Sequence, residues 1–153
     1  MPTWEENGAK IKLIAGQTAG HTSPVKVFSP ILYLDIALSA NAHVTIPAEY
    51  SERAVYSVTS GLSLQGESLE QHRLAILEPG EVVTLASSTD ARCVVIGGEP
   101  LGVRYKWWNF VSSRPARIEQ AKADWREGHF PTVPGETEFI PLPEHVTEAN
   151  SFS

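Results

Sequence analysis

The 153-residue chain has one cysteine, one methionine and five scattered histidines. It has no apolar run near the ~20 residues that a membrane-spanning helix needs. A single cysteine excludes an internal disulfide framework. Cys93 stands in the run Cys-Val-Val-Ile, where it reads as a small buried hydrophobe, because a reactive thiol needs an electropositive, accessible setting. The first residues, Met-Pro-Thr-Trp-Glu-Glu-Asn-Gly, offer neither the cationic start nor the apolar stretch of a secretory leader. A cytoplasmic protein without membrane attachment is expected. The formal charge is −6, and no cluster of Lys and Arg with interleaved aromatics occurs. Direct nucleic-acid binding needs a basic footprint and is disfavoured. A nucleophile elbow, a phosphate-cradling loop and a dinucleotide fingerprint are also missing. The one glycine-rich stretch, Gly97-Gly-Glu-Pro, lacks the following helix that phosphate capture would use. It reads as a strand end turning sharply.

What the chain does contain is a series of short alternating segments. Residues 31–38 put Leu32, Leu34, Ile36 and Leu38 on one face and Tyr33, Asp35 and Ala37 on the other. Residues 10–15 alternate around Ile11 and Leu13, and further strands are expected at 44–46, 54–60, 73–77, 81–86 and 92–96. Turn signals separate them, among them Ser29-Pro30, Gln65-Gly66 and Glu78-Pro79-Gly80. Short, closely spaced strands argue for an antiparallel sandwich or barrel rather than βαβ units.

One helix interrupts the pattern. Pro115 suits a first-turn position with Ser112 or Ser113 as cap, and Gly128 suits the position just past the last turn. Ile118, Ala121 and Trp125 fall on one stripe. Residues 131–143 are proline-rich and read as extended, with 138–141 able to add a short edge strand. The last residues have little to bury and are expected to fray. The chain is expected to be one domain over 1–144 with a frayed tail over 145–153.

These landmarks resemble the C-terminal half of the pirin family, bicupins built from two consecutive β-barrels. The stretches that carry the likeness are Gly16-Gln-Thr-Ala-Gly-His-Thr-Ser-Pro-Val25, Val55-Tyr-Ser-Val-Thr-Ser-Gly61, Gly97-Gly-Glu-Pro-Leu-Gly102 and Trp107-Trp-Asn-Phe-Val111. The run from Arg117 to Phe130 and the tail Glu138-Phe-Ile-Pro-Leu-Pro143 extend it. The resemblance implies an all-β, antiparallel double-stranded β-helix (a cupin, or jelly-roll, barrel) with one C-terminal helix and an extended proline-rich tail. It also implies that the family's metal ion, usually iron held by three histidines and a glutamate, belongs to the N-terminal barrel. None of those ligands can be carried over to this chain.

A cupin metal site places imidazoles on alternate residues of a strand, so that they share a face. Counting back from Gly61, the family's glutamate position falls on Ala54. Its two histidine positions fall on Ala48 and Tyr50, or on Pro47 and Glu49. The remaining histidine position falls on Thr84 or Val83. None of the four ligand types is present. His21, His43, His72, His129 and His145 show no even spacing on one strand. No cofactor is expected, with iron implied only if a dioxygenase reading holds. Glu49 and Glu52 flank Tyr50 near the mouth that the family fold implies. Of Trp107 and Trp108, alternation puts one ring inward and one outward, and an exposed ring more often marks an interface. Trp107, Trp108, Tyr50 and Glu49 are therefore the candidate interface or pocket contacts, and no catalytic residue is assigned.

Three functions are compatible with this reading. The first is a metal-free cupin module used for binding or assembly, self-associating or docking onto a separate pirin-type N-terminal barrel. The second is a metal-dependent dioxygenase of the pirin or quercetinase type. The third is a transcriptional co-regulator acting through protein contacts. The missing ligand set favours the first.

Overall fold

The computed structural model of the chain describes residues 1–143 and 150–152. Chain contacts divide it into two compact units, Met1–Pro100 and Leu101–Ser153. The strands of the first unit are Thr3–Glu6 (β1), Ala9–Thr18 (β2), His21–Thr22 (β3), Ile31–Leu38 (β4), His43–Ile46 (β5), Glu52–Ser57 (β6), Leu62–Leu64 (β7), Glu67–Leu69 (β8), Leu74–Leu77 (β9), Val83–Ser87 (β10) and Ala91–Gly98 (β11). They form a seven-stranded sheet of order β1-β2-β4-β11-β6-β9, with β3 paired to β2, and a four-stranded sheet of order β5-β10-β7-β8. The pairings are antiparallel. This is the antiparallel, mostly-β architecture expected from the alternation, in the jelly-roll form that the resemblance implied.

Period-two patterning explains the layers. In β4, Leu32, Leu34, Ile36 and Leu38 are buried while Tyr33 and Ala37 face solvent. In β2, Ala9, Ile11, Leu13 and Ala15 are buried between exposed Lys10 and Lys12. The core lies between the two sheets: Ile11, Leu34, Ile36, Val55 and Val95 come from one, and Val44, Ile46, Leu62, Val83 and Leu85 from the other. Each such side chain contributes about 1.5–3 kcal/mol on burial. A register shift between Leu13 and Ala15 bulges β2 and bends its end. Gly16 follows at φ 87, where a Cβ would lie 1.8 Å from the Ile31 carbonyl oxygen, so only glycine fits.

The second unit pairs Arg104–Trp107 (β12) with Phe110–Ser112 (β13) and with Asn150–Phe152 (β14). Between β13 and β14 runs the helix Pro115–Arg126 (α1), whose Ile118 is buried. The helix is capped differently from expectation. Arg114 is its N-cap, extended at φ −129 and making no side-chain capping bond. Pro115 explains this, because a residue before proline is driven out of the helical region. Ser112 instead accepts a hydrogen bond from the Arg114 amide at 3.1 Å. At the other end Gly128, at φ 72, lets the His129 amide reach the Asp124 carbonyl at 2.8 Å, closing the helix as expected.

No strand forms over residues 138–141. Pro141 and Pro143 cannot donate to a ladder, and the segment is held from the helix side. The Trp125 Nε1–H donates to the Ile140 carbonyl at 2.9 Å, and Phe139 stacks on Trp125 with centroids 5.8 Å apart. Of the tail expected to fray, residues 145–149 and 153 lie outside the described residues, whereas Asn150–Phe152 pair with β12. Among the described residues no helix is long and apolar enough to cross a membrane.

Cys93 is fully buried on β11, and burial, with a smaller push from Asp35, raises its thiol to about 12. A neutral, enclosed thiol should resist an aromatic disulfide reagent at pH 8, labelling at least a hundredfold more slowly than in denaturant. Rapid stoichiometric labelling of the native protein would contradict this placement.

Candidate functional site

The bent end of β2 opens a cleft of about 710 Å³ within the first unit. One wall is the segment from Gly16 through the β2–β3 turn to Ser23. Residues 25–31 continue that wall, and Glu49, Tyr50 and Glu99 stand opposite. Side-chain hydrogen bonds anchor the walls. Tyr50 is buried, and its hydroxyl donates to the Gln17 carbonyl at 2.9 Å. The Glu49 carboxylate accepts from Thr18 Oγ1 at 2.5 Å and from the Ala19 amide at 3.3 Å. Ser23 Oγ donates to the Ile14 carbonyl at 2.6 Å. His21 stacks on Trp4 with ring centroids 4.5 Å apart.

Glu99 secures the opposite side. Its carboxylate accepts from the Ser51 hydroxyl at 2.5 Å and from the Ser51 amide at 3.0 Å. These bonds favour the charged form, the hydroxyl most, and hold Glu99 below its ordinary carboxylate range. The lining thus presents two carboxylates, several hydroxyls and one imidazole, with no Lys or Arg. Such a surface accepts hydrogen bonds from hydroxyl-bearing or cationic groups.

Of the four residues singled out in the sequence, the structure brings Glu49 and Tyr50 together at this cleft. Trp107 and Trp108 belong to the second unit, where they join Phe110 and Trp125 in an aromatic cluster. Trp108 meets Trp125 at 5.3 Å and Trp107 at 6.5 Å. Trp107 is buried, with Lys122 Nζ 4.5 Å from its ring centroid. Trp108 departs from simple alternation, because it sits at φ 51 in the turn between β12 and β13. Thr18, His21, Ser51 and Glu99 were missed by sequence reasoning. Thr18 and His21 stood in the Gly16–Val25 stretch and Glu99 in Gly-Gly-Glu-Pro, both of which carry the family resemblance, whereas Ser51 carried no signal.

The positions that a cupin metal would need can be placed individually. On β6 the register puts Arg53, Val55 and Ser57 on the inward row and Ala54, itself buried, with Ile76 and Ile96 on the outward row. On β10 Val83 is inward and Thr84 is exposed. Ala54 and Thr84 therefore point the wrong way, and the inward residues nearest the counted positions are Tyr50, Arg53 and Val83. A hydrocarbon, a guanidinium and a phenol already bonded to Gln17 do not fit a transition ion. Among the described residues no three His, Cys, Asp or Glu side chains converge.

Residues 33–131 match the family model described as the pirin C-terminal cupin domain. A pirin-like protein of Caulobacter vibrioides is 42% identical over 146 residues, which are 94% of this chain and 50% of that protein. A Pseudomonas aeruginosa protein, provisionally named a quercetin 2,3-dioxygenase, is 32% identical over 132 residues, 84% of this chain and 42% of its own. The crystal structure of a quercetin 2,3-dioxygenase from Acinetobacter baumannii superposes with a TM-score of 0.81 at 23% identity, covering 97% of this chain and 52% of that one. The chain spans about half the length of the curated relatives it matches.

Because Glu99 is depressed in the folded state, its bonds to Ser51 stabilise fully above the ordinary value of 4.5 and are lost as pH falls through the lower folded value. Ser51→Ala should lift the Glu99 titration toward 4.5, read by carbon-13 NMR of the side-chain carboxyl. A titration curve unmoved by that change would refute the assigned cause.

Proposed function

The chain belongs to the pirin family, and from that membership we propose that it is a metal-free cupin module whose work is assembly through the outer face of its larger sheet. The observation that carries this reading is two apolar rows on that face. Ile76, Ala54, Ile96 and Tyr33 lie in register across β9, β6, β11 and β4. Leu74, Tyr56 and Val94 form the next row, ending on Asp35. Ile76 is 75% exposed, Leu74 50% and Ile96 44%, while Ala54 between Ile76 and Ile96 is buried. Contiguous apolar surface of this kind marks an interface more often than solvent-facing wall. Covering it is worth about 25 cal/mol per Å².

The occupant is a second cupin sheet, and in the absence of any other chain a second copy of this one. The supporting fact is that the relatives run to about twice the matched length. A two-fold pairing sets each apolar row against its counterpart. Charge at the patch edge suits it: Arg92 grips Asp35 through two bonds of 2.7 and 2.8 Å, leaving both signs at the rim. The Arg92 hydrogen bonds hold the Asp35 carboxyl below its ordinary range, so the pair stays formed at neutral pH.

A dioxygenase reading draws on the names carried by some relatives. It requires metal donors at inward positions that Tyr50, Arg53 and Val83 occupy. Sedimentation velocity at micromolar concentration should find a dimer, and Ile76→Asp or Ile96→Asp should weaken it at least tenfold while leaving the far-ultraviolet circular dichroism unchanged. A wild-type monomer that also ignores an added pirin-type N-terminal barrel would end the proposal.

A further inference from the structure

Arg53 is a buried cation with an unusual set of partners. Its side chain lies in the interior row of β6 and the residue is 3% exposed. Nη1 donates to the Pro47 carbonyl at 2.9 Å, and Nη2 donates to the Glu78 and Glu81 carbonyls at 2.8 and 2.7 Å. Among the described residues it makes no ion pair with a carboxylate, and its Nε–H has no acceptor. A buried guanidinium lacking a counter-charge is costly, so the carbonyl dipoles around it must offset its lost hydration. Charge-assisted bonds to three carbonyls do that, and they have a mechanical consequence. They tie β6 to the segment that follows β5 and to the Glu78-Pro-Gly-Glu81 turn between β9 and β10.

These stretches lie at or beside the counted cupin ligand positions: Pro47 opens the stretch 47–50, Arg53 is next to Ala54, and the Glu78–Glu81 turn leads into Val83 and Thr84. In a metal-bearing cupin an ion draws such stretches together through their donor atoms. Here the cation arrives on a side chain. We propose that the Arg53 guanidinium is this module's built-in replacement for a cupin metal ion, fastening the same end of the sandwich and filling it with positive charge.

The glycine-rich motif that the cleft explains only in part completes the picture. Gly97 pairs with Arg53 across β11 and β6. A Cβ at Gly97 would lie 2.8 Å from the Glu52 carbonyl oxygen and 3.2 Å from Arg53 Cγ, so its bare backbone makes room for the arginine stem. Two residues on, Glu99 holds Ser51 from the other side. The motif thus frames the short stretch that delivers the guanidinium. The inference deepens the metal-free half of the proposed function and is independent of its assembly half.

Hydrogen exchange read by mass spectrometry tests it on dilute protein, where self-association plays no part. In Arg53→Met the amides of residues 47–53 and 78–83 should exchange at least tenfold faster than in wild type, with β4 unchanged. Arg53→Lys keeps the charge and loses the fork, and should fall between; should Arg53→Met not fold, acceleration in Arg53→Lys alone decides the matter. Wild-type exchange in these stretches should stay within twofold when chelator or millimolar Zn²⁺, Ni²⁺ or Mn²⁺ is added. The proposal is overturned if the arginine variants exchange like wild type. It is equally overturned if a divalent ion markedly slows exchange in the wild-type segments, because an ion would then be the fastener.

Discussion

The pleat of β6 turns Arg53, Val55 and Ser57 toward the interior and Ala54 and Tyr56 toward the outer face. Much of the molecule's character follows from that parity. Inward, the same alternation on β2, β4, β5, β10 and β11 fills the space between the sheets with Ile, Leu and Val. Such interiors are close-packed, with few voids larger than a water molecule. Outward, it lines up Tyr33, Ile96, Ala54 and Ile76 as an apolar row across neighbouring strands. One geometric rule therefore gives a packed interior and an outer face with apolar rows, the face on which the assembly proposal rests.

Polar groups near the cleft serve the fold before they can serve a ligand. Tyr50 holds Gln17, Glu49 holds Thr18 and Ala19, and Glu99 holds Ser51. Each links a loop to a strand end, where backbone groups have no ladder partner and must be satisfied by side chains or water. The cleft is thus a by-product of well-anchored loops, with two carboxylates on its walls. Arg53 belongs to the same scheme at the adjoining segment, gathering carbonyls where Glu49 and Glu99 gather donors. Opposite charges divide the work by the sign of the dipoles they meet.

Much of the fold was legible in the sequence, because period-two patterning is a direct record of burial. β4 matches its expected limits of 31–38, and β2, β9, β10 and β11 fall within a few residues of theirs. The helix and its glycine stop were equally visible. What escaped has physical reasons. The counted ligand positions Ala54 and Thr84 face outward, because an offset of one residue in a strand exchanges its two faces. Arg53 left no trace, since arginine inside a strand ordinarily reads as exposed and its acceptors are carbonyls, which every residue owns. The cleft was half legible: Glu49 and Tyr50 stood beside the expected ligand positions. Thr18 and Ser51 depend on loop contacts more than thirty residues distant in sequence. Of the Trp107-Trp108 pair, Trp107 is the buried ring, and Trp108 lies in the turn where alternation stops.

The central proposal is that this sandwich needs no transition ion of its own, because Tyr50, Arg53 and Val83 stand at the inward positions nearest the counted ligands. Elemental analysis of protein purified without chelator reaches that claim directly. The account predicts less than about a tenth of an equivalent of iron, nickel, manganese or zinc bound per chain. A full equivalent of one of them, with nitrogen or oxygen ligands from these residues seen by X-ray absorption, would contradict it.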